Sequence, residues 1–522
     1  MFRIVAIGFE TQQLPKEPLA SYNPRMRISS VSFPVALALV SLTGVSLAQS
    51  AEADLDAVAQ RVVAQQQVVG ASVLVARGDR ILLHKGYGFA DLGLEVPSKP
   101  DTVYHVVGPM LPFTGIAIMQ QVERGKLSLD DDIAQYVPEF PEQGHHVTIR
   151  QLLTHTSGIV DYHYLGDPIE STSRQPRALD EVMALYANKP WVNEPGTKWD
   201  WSISGFQLLV TVLERVTGES FATYMQENVL TPAAMTSTSY CDDTTLVRGL
   251  SHSYRQFDGH FVPANEDDMA VNYDLRYCST VADLFHAWRA VRVGKLIRPA
   301  TLQLMSTAEG PGLHMSPTDP ERHYGMALTL GHEDSHRSIG QNGSLLGYSG
   351  ALFEFPADDL TIVVLTNTED QNAAAIASAL ARKVLKLSDP PARPTPRPPA
   401  ALADNPTSSE ERNQLTGTFV LKYEKVPATL HDSFLQYRRT YRVFDEDGRL
   451  MIEALGQAPE RLLKQGDGTF AMRSAPHHSI SFNLQDRHAT VLRIDQGSDL
   501  ILAGQRIGSG DAQTFHRQYG SD

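Results

Sequence analysis

Between residues 389 and 399 the chain reads Asp-Pro-Pro-Ala-Arg-Pro-Thr-Pro-Arg-Pro-Pro. Six prolines in eleven residues exclude a helix and an interior strand, because each proline fixes φ and lacks the N–H that either would use. The segment reads as a semi-extended linker, with bounds at 388–410, and the chain must fold as separate bodies on either side of it. At 522 residues it is long enough to do so.

Downstream of the linker, short β-like runs recur at 417–421, 437–444, 449–453, 469–472, 480–484 and 490–494. Asp447-Gly448 between the second and third is a hairpin signal. This spacing predicts an antiparallel β domain, a small barrel or sandwich, over 411–522. Upstream, residues 54–67 carry apolar residues at helical spacing. Residues 71–75 and 81–83 flank Gly78-Asp79 as a hairpin, and 352–355 with 360–365 form a second strand pair. Helices are expected over 114–123, 206–216 and 373–385, the first two stopped by Gly125 and Gly218.

The N-terminus has an export pattern. From Met26 it runs through a short basic region and an apolar stretch, Val31 to Leu47, to Ser46-Leu47-Ala48, a small-x-Ala cleavage site. Residues 1–48 are therefore expected to be leader and signal, with the first domain over 49–387 and a periplasmic or secreted location. An uncleaved anchor is the competing reading. Pro34, Ser41, Thr43 and Gly44 make it a poor span, and no stable membrane span is expected after cleavage. Cys241 and Cys278 allow one disulfide in an exported chain or two buried thiols, and their spacing argues against a cysteine zinc site. A net charge of −15 argues against nucleic acid, whose phosphates need a basic patch.

Several ordered stretches carry a resemblance. They are Gly125-Lys126-Leu127-Ser128-Leu129-Asp130-Asp131, the run Thr148 to Gly158 (Thr-Ile-Arg-Gln-Leu-Leu-Thr-His-Thr-Ser-Gly), Pro195-Gly196-Thr197, the run Ser279 to Leu284, and Gly347-Tyr348-Ser349. Over roughly residues 55–385 the chain resembles the serine β-lactamase and penicillin-binding-protein family, of the class C type. The resemblance implies an α/β fold: an antiparallel sheet flanked by helices, with a largely helical second lobe.

The family's chemistry uses three motifs. In Ser-x-x-Lys, a spacing of three on a helix lets the lysine help deprotonate the serine. The matching positions here are Gly108, which has no attacking atom, and Leu111, which cannot take a proton. Tyr-x-Asn is matched by Trp201-Ser202-Ile203, so that Trp201 loses the hydroxyl and Ile203 the amide. Lys/His-x-Gly is matched by Gln341-Asn342-Gly343, where Gln341 still hydrogen-bonds and Gly343 still permits close approach. Losing such a nucleophile costs on the order of 10⁶ in kcat. The expected result is this fold without acyl-enzyme chemistry and with the cleft preserved.

Other groups could carry chemistry. Ser157, Ser202 and Ser344 read as hydrogen-bonded turn serines rather than nucleophiles. His332-Glu333-Asp334-Ser335-His336 fits His-Glu-x-x-His, but that motif grips zinc only on a helix, and this stretch reads as a hairpin. No metal or other cofactor is expected. His145, His146 and His163 are expected to be solvated. Tyr162-His163-Tyr164 and Trp199-Asp200-Trp201 either line the cleft or pack the interior. Three functions stay open: a non-hydrolytic protein binding a small molecule or peptide in the cleft, a hydrolase with an unrecognised nucleophile, and a cyclase or isomerase using His155, Asp161 or Tyr162 as acid–base groups.

Overall fold

The computed structural model describes residues 39–165, 178–241, 246–257, 260–264, 276–315, 319–345, 347–368, 372–388, 402–425, 438–454, 459–472, 478–496 and 500–511. The proline-rich run at 389–399 and the basic start of the expected signal lie outside the described residues. The chain divides at Ser50 into two compact units. Helix α1 spans Leu39–Gln65, starting well before the 54–67 expected. Among the described residues no helix is long and apolar enough to cross a membrane.

The first large body is built on an eight-stranded antiparallel sheet. Strands β1 (Gly70–Arg77) and β2 (Arg80–Asp91) form the expected hairpin, with Arg77 opposite Arg80. β3 (Val96–Pro97) edges β2. Two small sheets follow: β4 (Tyr104–His105) and β5 (Ser239–Tyr240) flank β8 (Tyr277–Ser279), and β6 (Tyr254–Phe257) pairs with β7 (His260–Pro263). β9 (His323–Tyr324), β10 (Thr329–Glu333), β11 (His336–Leu345), β12 (Tyr348–Phe355) and β13 (Leu360–Thr366) complete the main sheet, in the order β3-β2-β1-β13-β12-β11-β10-β9.

Both faces of the sheet's centre are covered, which explains the nearly unbroken apolar runs of β1 and β13. Along β1 and β13, Ala71, Val73, Val75, Ile362 and Val364 face a core shared with Leu55, Ala59 and the Asn372–Leu385 helix. The alternate residues Leu74, Val363 and Leu365 face the other core, which holds helix α2 (Leu111–Glu123) and the helices Ile203–Thr217 and Val281–Arg292. Each such Val or Leu contributes about 1.5–3 kcal/mol by leaving water. The result is the α/β plan that the resemblance implied.

The His-Glu-x-x-His stretch is a hairpin, with Glu333 opposite His336 across β10 and β11. Its imidazoles face different carboxylates: His332 meets Asp319 at 3.3 Å, and His336 meets Asp358 at 2.8 Å. Cys241 and Cys278 are bridged.

The C-terminal body is an antiparallel β domain. β14 (Gly417–Lys425), β15 (Arg439–Glu446), β16 (Arg449–Ala454), β17 (Glu460–Arg461), β18 (Leu463–Lys464), β19 (Phe470–Ala471), β20 (Ser479–Gln485), β21 (His488–Asp495) and β22 (Ile501–Gly508) lie in the order β17-β16-β15-β14-β22-β21-β20-β19-β18. The two ends of that order, β17 and β18, are separated in sequence by Leu462 alone, so the chain itself nearly closes the sheet into a barrel. Phe419, Leu421, Val443, Ile452, Phe470, Ile480, Leu492 and Leu502 fill it. β17, β18 and β22 had no clear sequence signal. In β22, Gly504 is required because a Cβ there would stand 1.7 Å from the Val420 carbonyl oxygen.

Candidate functional site

Two of the three motifs, 108 with 111 and 341 with 343, meet where α2 begins against β11. Gly108 does not sit within α2. It lies in a turn before it, with Leu111 N–H donating to the Gly108 carbonyl at 2.9 Å, and the helix starts at Leu111. Gly108 has φ +78°, in the left-handed region that glycine tolerates and a serine would resist. A Cβ at 108 would lie 2.4 Å from both the Asn342 carbonyl carbon and the Gly343 nitrogen. No side chain of any kind fits there without moving the β11 backbone.

The contact is reciprocal. A Cβ on Gly343 would fall 2.9 Å from Gly108 Cα. Gly343 pairs directly with Gly350 of β12, and a Cβ on Gly350 would fall 2.9 Å from the Val107 carbonyl oxygen. Three glycines thus seat the 107–109 segment backbone to backbone on the sheet. Against this stretch of β11 there is no room for a side chain at position 108. Leu111 is fully buried in the main core, among Met110, Phe113 and their neighbours, where a lysine's charge would be strongly disfavoured.

Gln341 is buried on β11, and its Oε1 accepts from Thr329 Oγ1 at 2.7 Å on β10. Thr329 lies opposite Tyr324 of β9. Tyr324 packs on an aromatic cluster whose centre is His155: ring centroids stand 4.3 Å to Trp201, 4.9 Å to Phe206, 5.0 Å to Tyr324 and 6.2 Å to Trp199. Burial pushes the Tyr324 phenol far above its ordinary pKa, so it stays neutral. His155 is itself fully buried, and its Nδ1 accepts the Ser202 N–H at 3.2 Å. Trp201 is half-buried at the rim of this cluster.

Ile203 opens its helix, and its N–H donates to Asp161 Oδ2 at 3.0 Å. Asp161 is buried, and its other oxygen accepts both the His163 N–H and His163 Nδ1 at 2.9 Å. Burial alone would raise the Asp161 pKa. The His163 charge and the hydrogen bonds outweigh it and hold the carboxyl below the usual range. Tyr162 is buried, stacks on His163 at 4.3 Å and donates its N–H to Ser204 Oγ.

The three serines are engaged locally. Ser202 caps its helix by accepting the Gly205 N–H, Ser157 Oγ accepts the Ile159 N–H, and Ser344 Oγ donates to the Tyr348 carbonyl. Of the three histidines expected in solvent, only His146 is largely exposed. His145 packs on Trp191 at 4.5 Å, and His163 is held by Asp161. Sequence reasoning missed Tyr324 and Gly350. Gly350 alone carried a signal, as the glycine that pairs with the motif's Gly343 once the β11–β12 register is known.

Among known proteins, a Beta-lactamase family profile matches residues 55–386, more than half of the chain. Penicillin-binding protein 4* of Bacillus subtilis is 24% identical over 446 residues, covering 82% of this chain and 93% of that protein. Protein flp of Staphylococcus aureus is 30% identical over 198 residues, 37% of this chain, and the match spans only 39% of that relative's length. The octameric penicillin-binding protein homologue from Pyrococcus abyssi shares the fold at a TM-score of 0.56 and 20% identity, over 86% of this chain and 99% of that one. The ordered motifs, the sheet and the profile agree, and the chain belongs to the β-lactamase family.

Proposed function

We propose that this protein is an exported, non-hydrolytic member of its family that binds a small molecule or peptide at the rim of the former active site. One observation carries the reading: the position that should hold the nucleophile is a glycine in left-handed conformation whose missing side chain would overlap the β11 backbone. Acylation needs an oxygen nucleophile beside a base, and neither Gly108 nor Leu111 supplies one. Trp201, Asn342 and Ser344 are each half-buried, which keeps aromatic and polar groups within reach of a ligand. The Cys241–Cys278 disulfide supports the exported location, since such bridges persist in oxidising compartments.

A second reading draws on Asp161 and His163. A histidine oriented by a buried carboxylate is the arrangement of a general base, and a cyclase or isomerase needs no covalent step. Metabolite profiling of a deletion strain separates the two. The binding reading predicts no accumulated precursor and no lost product. A precursor that accumulates on deletion and is converted by the purified protein contradicts it and favours the acid–base enzyme.

A further inference from the structure

His105, Cys241 and Cys278 are gathered by the small sheet beside the Gly108 seat. His105 on β4 lies opposite Cys278 on β8, and Ser239 on β5 lies opposite the same Cys278, which brings Cys241 alongside. His105 Nδ1 stands 3.5 Å from Cys278 Sγ, and one imidazole nitrogen and both sulfurs lie within 4.8 Å of one another. All three residues are buried, with Val103 in the same cluster and Val247 and Leu250 packed against it. A disulfide sulfur has no proton to give, so in the bridged state the contact is an Nδ1–H donating to Cys278 Sγ.

We infer that these three side chains form a binding site for a thiophilic divalent cation such as Zn²⁺ once the bridge is reduced. A trialkylphosphine breaks the Sγ–Sγ bond. The phosphorus is oxidised to the phosphine oxide with the oxygen of one water, and that water's two protons end on the two sulfurs. Zn²⁺ then displaces both thiol protons to solvent. The imidazole proton passes from Nδ1 to Nε2, and the freed Nδ1 lone pair becomes the third donor.

Two thiolates, a neutral imidazole and a dication sum to zero. That neutrality suits an apolar shell in which an uncompensated charge would be strongly disfavoured. Sulfur and imidazole are also the donors that zinc prefers, and three protein ligands leave the fourth position to an exogenous molecule. The sequence spacing spoke against such a site, but the cysteines meet through strand pairing rather than through a local loop. The location couples it to the former reaction centre. His105 precedes Gly108 by three residues, and its ring lies 5.1 Å from Tyr348, at the start of β12.

The test uses the full chain, reduced with a phosphine that is then removed, and titrated with Co²⁺ as a coloured stand-in for Zn²⁺. The expected result is one Co²⁺ per chain, with a sulfur-to-cobalt charge-transfer band, in the reduced protein and none in the oxidised one. His105→Ala should weaken binding by more than the roughly 10- to 100-fold typical of losing an outer-shell partner. A reduced, folded chain with no charge-transfer band overturns the inference, as does a His105→Ala chain that binds as tightly as the parent. Far-ultraviolet circular dichroism checks the fold. If reduction loosens it, Zn²⁺ should restore it, and a reduced chain that stays loose with Zn²⁺ equally overturns the inference.

Discussion

The Thr148–Gly158 stretch and the Val106–Leu111 stretch run through the same core, and each turns on a left-handed glycine. Gly158 has φ +74°, and a Cβ there would stand 2.0 Å from the Asn193 carbonyl oxygen; Gly108 has φ +78°, and a Cβ there would stand 2.4 Å from Asn342 and Gly343. In the first stretch the residues match the family pattern, and the glycine, the Thr148–Gln151 capping box and the Thr154–Thr156 hydrogen bond build a scaffold. In the second, on the reading proposed above, the glycine stands where the family keeps its nucleophile, and its α-carbon packs against the β11 backbone. The difference separates what the fold requires from what the reaction required. The scaffold's polar groups satisfy helix ends, and they persist whether or not anything is hydrolysed.

The sharpest way to break this comparison is Gly108→Ser. The left-handed backbone disfavours serine by about 1–2 kcal/mol. Overpacking against β11 adds about 1–3 kcal/mol. Chemical denaturation should therefore show a loss of about 3 kcal/mol. A variant as stable as the parent would mean that the seat yields easily.

Asp161 is the next largest. It satisfies three N–H donors from buried surroundings, so Asp161→Asn should destabilise by about 1–3 kcal/mol at neutral pH. The sign with pH follows from its lowered pKa. The carboxylate's contribution is fully present above the ordinary carboxylate range and is lost as pH falls through the lower folded value. Urea midpoints measured from neutral to acid pH should converge for parent and variant, and a constant gap down to strong acid would show that Asp161 is not the group responsible.

The smallest effect belongs to the scaffold. Thr148→Ala removes the N-cap of the Ile149–Leu153 helix and should lower stability by about 1 kcal/mol, read as a modest drop in Tm. A loss equal to that of Gly108→Ser would erase the distinction drawn between the two stretches.

Much of this was legible in the sequence, for local reasons. The Gly78-Asp79 turn, the strand pair ending at Phe355 and Leu360, and the hairpin within His332–His336 are set by neighbouring residues. The departures proposed at 108, 111, 201, 203 and 341 rest on the matched frame around each position. What stayed hidden depends on long-range pairing. Tyr324 joins His155 across 169 positions only because β9 folds beside the aromatic cluster. Gly350 matters only once it lies opposite Gly343, and the barrel closes through a segment, 460–464, too short to show a period. The close approach at Gly108 stayed hidden for the same reason: the identity of the residue was plain, but its contact with β11 was not.

The central claim is that no nucleophile remains at this site, and intact-mass spectrometry after incubation with a fluorophosphonate or a β-lactam tests it most directly. The account predicts an unchanged mass for the parent and also for the double variant Gly108→Ser with Leu111→Lys, because Trp201, Ile203 and Gln341 would still lack the groups that act with a serine. A stoichiometric adduct on the parent, mapped by peptide sequencing to Ser157, Ser202, Ser344 or any other serine near the rim, would contradict it.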